Sequence, residues 1–169
     1  MNASTDRRAC KVLVAGIGHP DRGDDGVGAA VAAALAGRLP PDVGVLARSG
    51  DMLALLDDCV GFDALICVDA AAPMGTPGKI HRIDTAVDTL PCDASFASSH
   101  ALGLAEAIEL ARTLGTAPPT IIVYAIEGAS FDDGAGLSAP VAHAVGEAAR
   151  HIVAEVERLR RHVAEETST

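Results

Sequence analysis

Apolar residues along this chain fall into short runs that alternate with longer periodic stretches. Lys11 to Ala15 (KVLVA), Val43 to Ala47 (VGVLA), Ala64 to Val68 (ALICV) and Thr120 to Ile126 (TIIVYAI) have the length and composition of buried strands. Between these runs apolar positions recur at helical spacing: Val27, Ala30, Val31, Ala34 and Leu35 up to Gly37, then Asp51 to Cys59, then Leu104, Ile108 and Ala111. A last stripe of Val141, Val145, Ala148, Ile152, Val156, Leu159 and Val163 forms one apolar face, and Glu147, Arg150, Glu157 and Arg161 lie off it. Ser49 or Asp51, Ser98 or Ser99, and Ser138 are the predicted N-caps, and Pro140 suits an early helical position. Lys79 to Asp84 (KIHRID) mixes apolar and polar side chains as a half-exposed edge strand does.

Strands alternating with helices predict an α/β fold, a three-layer α/β/α sandwich with a mostly parallel twisted sheet and an edge strand, possibly antiparallel, near Lys79 to Asp84. With 169 residues, 49% of them hydrophobic, the chain is long enough for one well-filled domain over 1–169, with 1–10 and 164–169 as expected frayed tails. No run approaches the roughly 20 residues of a membrane span, and the polar segment Met1 to Lys11 has no signal-peptide pattern, so a cytoplasmic protein is expected. Thirteen basic and twenty-three acidic side chains give a net charge of −10, which disfavours nucleic acid and favours a cation or a basic peptide. The four cysteines, Cys10, Cys59, Cys67 and Cys92, form no CxxC pair and receive no function.

Candidate chemistry starts directly after the first strand. Gly16 to Gly28 (GIGHPDRGDDGVG) holds five glycines and three aspartates. A dinucleotide fingerprint needs glycine where Asp21 stands. A Walker loop begun at Gly18 puts its lysine and hydroxyl at Asp24 and Asp25, and a calcium loop begun at Asp21 has Gly23 third and Ala32 twelfth. What remains is an acidic turn suited to a metal or a basic peptide. Asp24 and Asp25 fall at a predicted helix N-terminus, where one aspartate suffices as a cap, leaving the other for chemistry. Asp69 and Glu127 end their strands at the edge where open α/β sheets bind ligands, although capping the next loop explains Asp69 equally well. His100 falls in the first turn of a predicted helix, whose dipole favours neutral imidazole; a surface position is the plainer reading. Asp25, Asp69 and Glu127 are expected at one end of the sheet, toward which His100 could also point, and two carboxylates with one imidazole would suit a divalent ion with coordination positions left open. There is no HExxH helix and no GxSxG elbow.

These residues carry a family resemblance. VLVAGIGHPDRGDDGVG, the VDA of Val68 to Ala70, the SSHALGL of Ser98 to Leu104, and YAIEG followed by GLSAPVAHAV together resemble the nickel-iron hydrogenase maturation proteases, in order and from Val12 to about Val145. The resemblance implies an endopeptidase that removes a C-terminal extension from the nickel-loaded large-subunit precursor of a nickel-iron hydrogenase. It implies Asp25, Asp69 and His100 as metal-binding and catalytic residues, and a divalent metal, nickel, supplied by the substrate. Gly16, Gly18, His19, Gly26 and Glu127 are the expected substrate contacts, Glu127 by gripping a basic residue. The expected partner is that precursor, met by a monomeric protease; the competing reading is a module that holds or checks nickel without cutting. Two positions depart from the family's pattern: His19 stands where asparagine is usual, and Gly128 where proline is frequent. His19 is read as a simple substitution, a fourth nitrogen ligand or a reshaped substrate contact.

Overall fold

The computed structural model describes residues 9–88, 90 and 103–166, with side chains to residue 161. Its elements follow the predicted alternation. β1 (Val12–Ile17) leads through a 3-10 turn (Gly23–Gly26) into α1 (Val27–Ala34), then β2 (Gly44–Arg48), α2 (Met52–Asp58), β3 (Ala64–Ala71), β4 (Ile80–Asp84), α3 (Leu104–Leu114), β5 (Thr120–Glu127) and α4 (Ala139–Glu166). The five strands form one sheet in the order β2-β1-β3-β5-β4. All neighbours pair in parallel except β4, which runs antiparallel to β5 at the edge. The α/β architecture and the antiparallel edge strand are as the hydrophobic pattern predicts.

Strand burial explains this order. Every residue of β1 and β3 is buried, as is β5 after Thr120, because helices cover both faces of the inner strands. The edge strands β2 and β4 are only partly buried. On one face Val12, Val14, Ile66, Val68, Ile122, Tyr124 and Ile126 pack on α1 and α4; on the other Leu13, Ala15, Ile17, Leu65, Cys67 and Val123 pack on α2 and α3. Asp51 caps α2 by accepting from the Ala54 N–H at 2.9 Å, and Gly115 closes α3 in the left-handed conformation that glycine enters freely.

Three details differ from expectation. α4 continues through Glu166, into the stretch predicted to fray, and Cys10, at the end of the predicted N-terminal tail, is buried. α3 starts at Leu104 behind an extended Gly103, later than a Ser98 or Ser99 cap would place it. Ser98, Ser99 and His100 lie outside the described residues. No helix among the described residues is long and apolar enough to cross a membrane.

Candidate active site

Chain order and spatial order diverge at one place in this sheet. From β1 the chain moves outward to β2 and then crosses back to β3 on the other side of β1, so the connections leaving β1 and β3 part in opposite directions. The crevice at the carboxyl ends of two such strands is where open α/β sheets bind ligands. The 3-10 turn Gly23–Gly26 follows β1 there, and Asp69 sits near the end of β3.

Asp24 and Asp25 are both fully buried in the 3-10 turn, and neither caps α1, whose N-cap is Gly26 with no side-chain hydrogen bond. Asp24 instead ties down a distant segment. Its Oδ2 accepts from the N–H groups of Ala129 (2.7 Å) and Ser130 (3.1 Å) and from the Ser138 hydroxyl (2.8 Å), and its Oδ1 accepts from the Ser138 N–H (2.7 Å). Burial by itself would raise this carboxyl, but the four donors outweigh it and hold Asp24 below the usual carboxylate range. Ser138, expected to cap α4, thus turns its hydroxyl to Asp24, while its carbonyl accepts from the Ala142 N–H.

Asp25 is arranged differently. Its Oδ2 accepts from the His19 N–H at 2.8 Å, and its Oδ1 is buried without a partner. Asp69 repeats the pattern, with Oδ1 accepting from the Ala70 N–H at 2.8 Å and Oδ2 buried and unpaired. Burial, with the charge of Asp25 adding and the Ala70 N–H opposing, pushes Asp69 up to about 8. The structure thus brings Asp25 and Asp69 together electrostatically, each with one anchored and one open oxygen. Among the described residues no three His, Cys, Asp or Glu side chains form a group able to hold a metal, and His100 is outside them.

The residues expected as substrate contacts also serve the protein's own packing. Gly16, Gly18 and Gly26 are buried, and the close approach that the glycines permit is made by the protein itself. A Cβ on Gly16 would lie 2.1 Å from the Gly28 carbonyl oxygen, where α1 crosses β1. A Cβ on Gly18, at φ +117°, would lie 2.0 Å from the Asp25 carbonyl oxygen, and one on Gly26 3.0 Å from the Pro20 carbonyl oxygen. These glycines shape the loop around Asp25. Glu127 is likewise committed: 1% exposed, it accepts at Oε1 from the N–H groups of Met74 and Thr76, both at 2.6 Å. Burial would raise it, but these bonds and the nearby His81 hold it low. Glu127 therefore fastens the loop after β3 through Oε1. His19 is exposed.

The hydrogenase maturation protease family model HycI matches residues 36–155, most of the chain. The chain belongs to the hydrogenase maturation protease family. As a hydrogenase maturation protease it is a peptide-bond hydrolase, and solved structures agree with the fold described above. The hydrogenase maturating endopeptidase HybD of E. coli is 25% identical, with a TM-score of 0.72 over 88% of this chain and 93% of that one. The [NiFe] hydrogenase maturation proteases HybD and HycI of Thermococcus kodakarensis share the fold. HybD is 23% identical, with a TM-score of 0.68 over 89% of this chain and 99% of its own. HycI is 22% identical, with a TM-score of 0.67 over 89% and 94%. Among curated proteins the comparison found no match. The family match contains Asp69 and His100 but begins after Asp25.

Sequence reasoning missed what Asp24 does. The available signal was the glycine-rich segment Gly128 to Gly136 after β5, whose backbone N–H groups need an acceptor wherever the segment is drawn in against the end of the sheet.

Proposed function

We propose that this protease removes a C-terminal extension from the large-subunit precursor of a nickel-iron hydrogenase after nickel insertion, and that Asp25 and Asp69, with His100, recognise the nickel carried by that substrate. The reading includes a cytoplasmic monomer acting on one precursor. The observation that carries it is the pair of buried carboxylate oxygens, Asp25 Oδ1 and Asp69 Oδ2, without partners at the switch point of the sheet. Buried carboxylate oxygens left unpaired are unfavourable in the free protein, and a divalent cation is the partner that satisfies both. An imidazole from His100 would complete a donor set that suits nickel better than carboxylates alone.

A divalent ion so held would supply Lewis acidity, polarising a neighbouring carbonyl or activating a water. The chain's own part is positional. The His19 N–H fixes one oxygen of Asp25 and the Ala70 N–H fixes one oxygen of Asp69, which leaves the second oxygen of each as the one that would meet the ion. Asp24 secures the 129–138 segment beside them. Removing the metal removes the recognised feature, so a nickel-free precursor is expected to stay uncut.

The test incubates purified protein with nickel-loaded and nickel-free precursor and weighs the products. Loss of a C-terminal peptide from the loaded form alone supports the reading; an intact precursor in a stable complex supports the nickel-holding module instead.

A further inference from the structure

His81 on β4 has no part in the site described above, yet its environment belongs there. Among the described residues three buried side-chain polar atoms lack a hydrogen-bond partner: Asp25 Oδ1, Asp69 Oδ2 and His81 Nε2. Strand register relates the last two. Asp69 of β3 pairs with Ala125 of β5, and Ala125 pairs with His81 of β4. Residues in register on neighbouring strands project from the same face, so the three form one row. The row below it, Cys67, Val123 and Ile83, lies in the layer under α2 and α3. The row above contains Ala71 and Glu127, and His81 acts on the Glu127 carboxylate, as this placement requires.

Two strand spacings separate Asp69 from His81, about 10 Å between Cα atoms, with Ala125 between them in the row. One or two residues of an extended peptide span such a gap once the two side chains reach into it. Buried polar side-chain atoms are as a rule hydrogen-bonded, so an orphaned Nε2 in the row of Asp69 is a group that an incoming peptide can satisfy. Its partner is not a metal shared with the two aspartates, because these side chains form no three-membered ligand group.

We propose that His81 is a substrate-contacting residue whose Nε2 hydrogen-bonds the main chain of the precursor segment that Asp69 engages, fixing the peptide across Ala125. This rests on the endopeptidase reading. Nε2 of an imidazole can serve as donor or acceptor, and which it does here depends on the peptide group that faces it.

The test compares wild type, Asp69→Asn, His81→Leu and His81→Gln for kcat/KM on the nickel-loaded precursor and for thermal midpoint. His81→Leu is expected to melt at or above the wild-type temperature, having lost an unpaired buried nitrogen, and to cleave about tenfold more slowly, the loss of one hydrogen bond. His81→Gln, which keeps a polar nitrogen, is expected to recover much of that rate. Wild-type cleavage by His81→Leu overturns the proposal, as does a rate loss in both variants that tracks a lowered midpoint. If wild type itself leaves the precursor intact, the endopeptidase reading falls and takes this inference with it. If wild type cleaves, Asp69→Asn does not, and both His81 variants match wild type, only the inference about His81 falls.

Discussion

Asp25 and Asp69 are each held by one backbone N–H and each keep one buried oxygen unpaired. For Asp69 this has a thermodynamic sign. Its folded value of about 8 lies above the roughly 3.9 of an unfolded aspartate, so the folded protein binds the proton more tightly and loses stability as pH rises from about 4 through 8. Asp69→Asn removes that titration. The variant is expected to melt at or above the wild-type temperature at pH 8 while failing to process precursor, which calorimetry beside the cleavage assay checks. Asp24 is expected to behave in the opposite way. Asp24→Ala strands the N–H groups of Ala129, Ser130 and Ser138 and should lose roughly 3 kcal/mol in urea unfolding, because hydrogen bonds to a charged group are the strong ones. The sequence separates these neighbours only in part. It marks one aspartate of the pair for structure and the other for chemistry, but Asp24 serves a segment more than a hundred positions away and not the helix beside it.

Elements place these side chains through close packing that allows no added methyl group. β1 and α1 approach so tightly that a Cβ on Gly16 meets the Gly28 carbonyl oxygen at 2.1 Å. Gly16→Ala is therefore expected to destabilise by about 3 kcal/mol or more, or to prevent folding, since backbone cannot yield as a side chain can; urea titration followed by circular dichroism measures it. At the other edge, β4 is joined to α4 by Glu155, which is 5% exposed and accepts from Arg82, Arg158 and the Tyr124 hydroxyl. Burial alone would raise Glu155, but these donors draw it down to about 2. A carboxyl depressed below its unfolded value of about 4.3 contributes stability that is complete above that value and lost as pH falls toward 2. Glu155→Gln should accordingly flatten the acid limb of the thermal midpoint between pH 5 and pH 2. The strands and most helices were legible because their apolar periods are regular. The faces of β4 were not, because Ile80 and Ile83 in KIHRID have opposite parity, and only pairing with β5 shows that His81 shares the face of Asp69.

For the molecule as a whole, topology gathers the chemistry. The order β2-β1-β3-β5-β4 sets the turn after β1 beside the end of β3, so residues 44 positions apart in sequence share one crevice. The alternation of strands and helices foretold that gathering, and the motifs marked Asp25 and Asp69 as the candidates within it. That Gly16, Gly18, Gly26 and Glu127 also serve the protein's own packing was not legible, because a glycine that admits a ligand and one that admits its own backbone look alike in sequence. The central claim is that the open oxygens of Asp25 and Asp69 meet nickel carried by the precursor. The most direct measurement is the mass of nickel-loaded and nickel-free large-subunit precursor after incubation with wild type, Asp25→Asn and Asp69→Asn. The account predicts loss of a C-terminal peptide only from the loaded precursor and only with wild type. Processing of the nickel-free form, or by both variants at the wild-type rate, would contradict it.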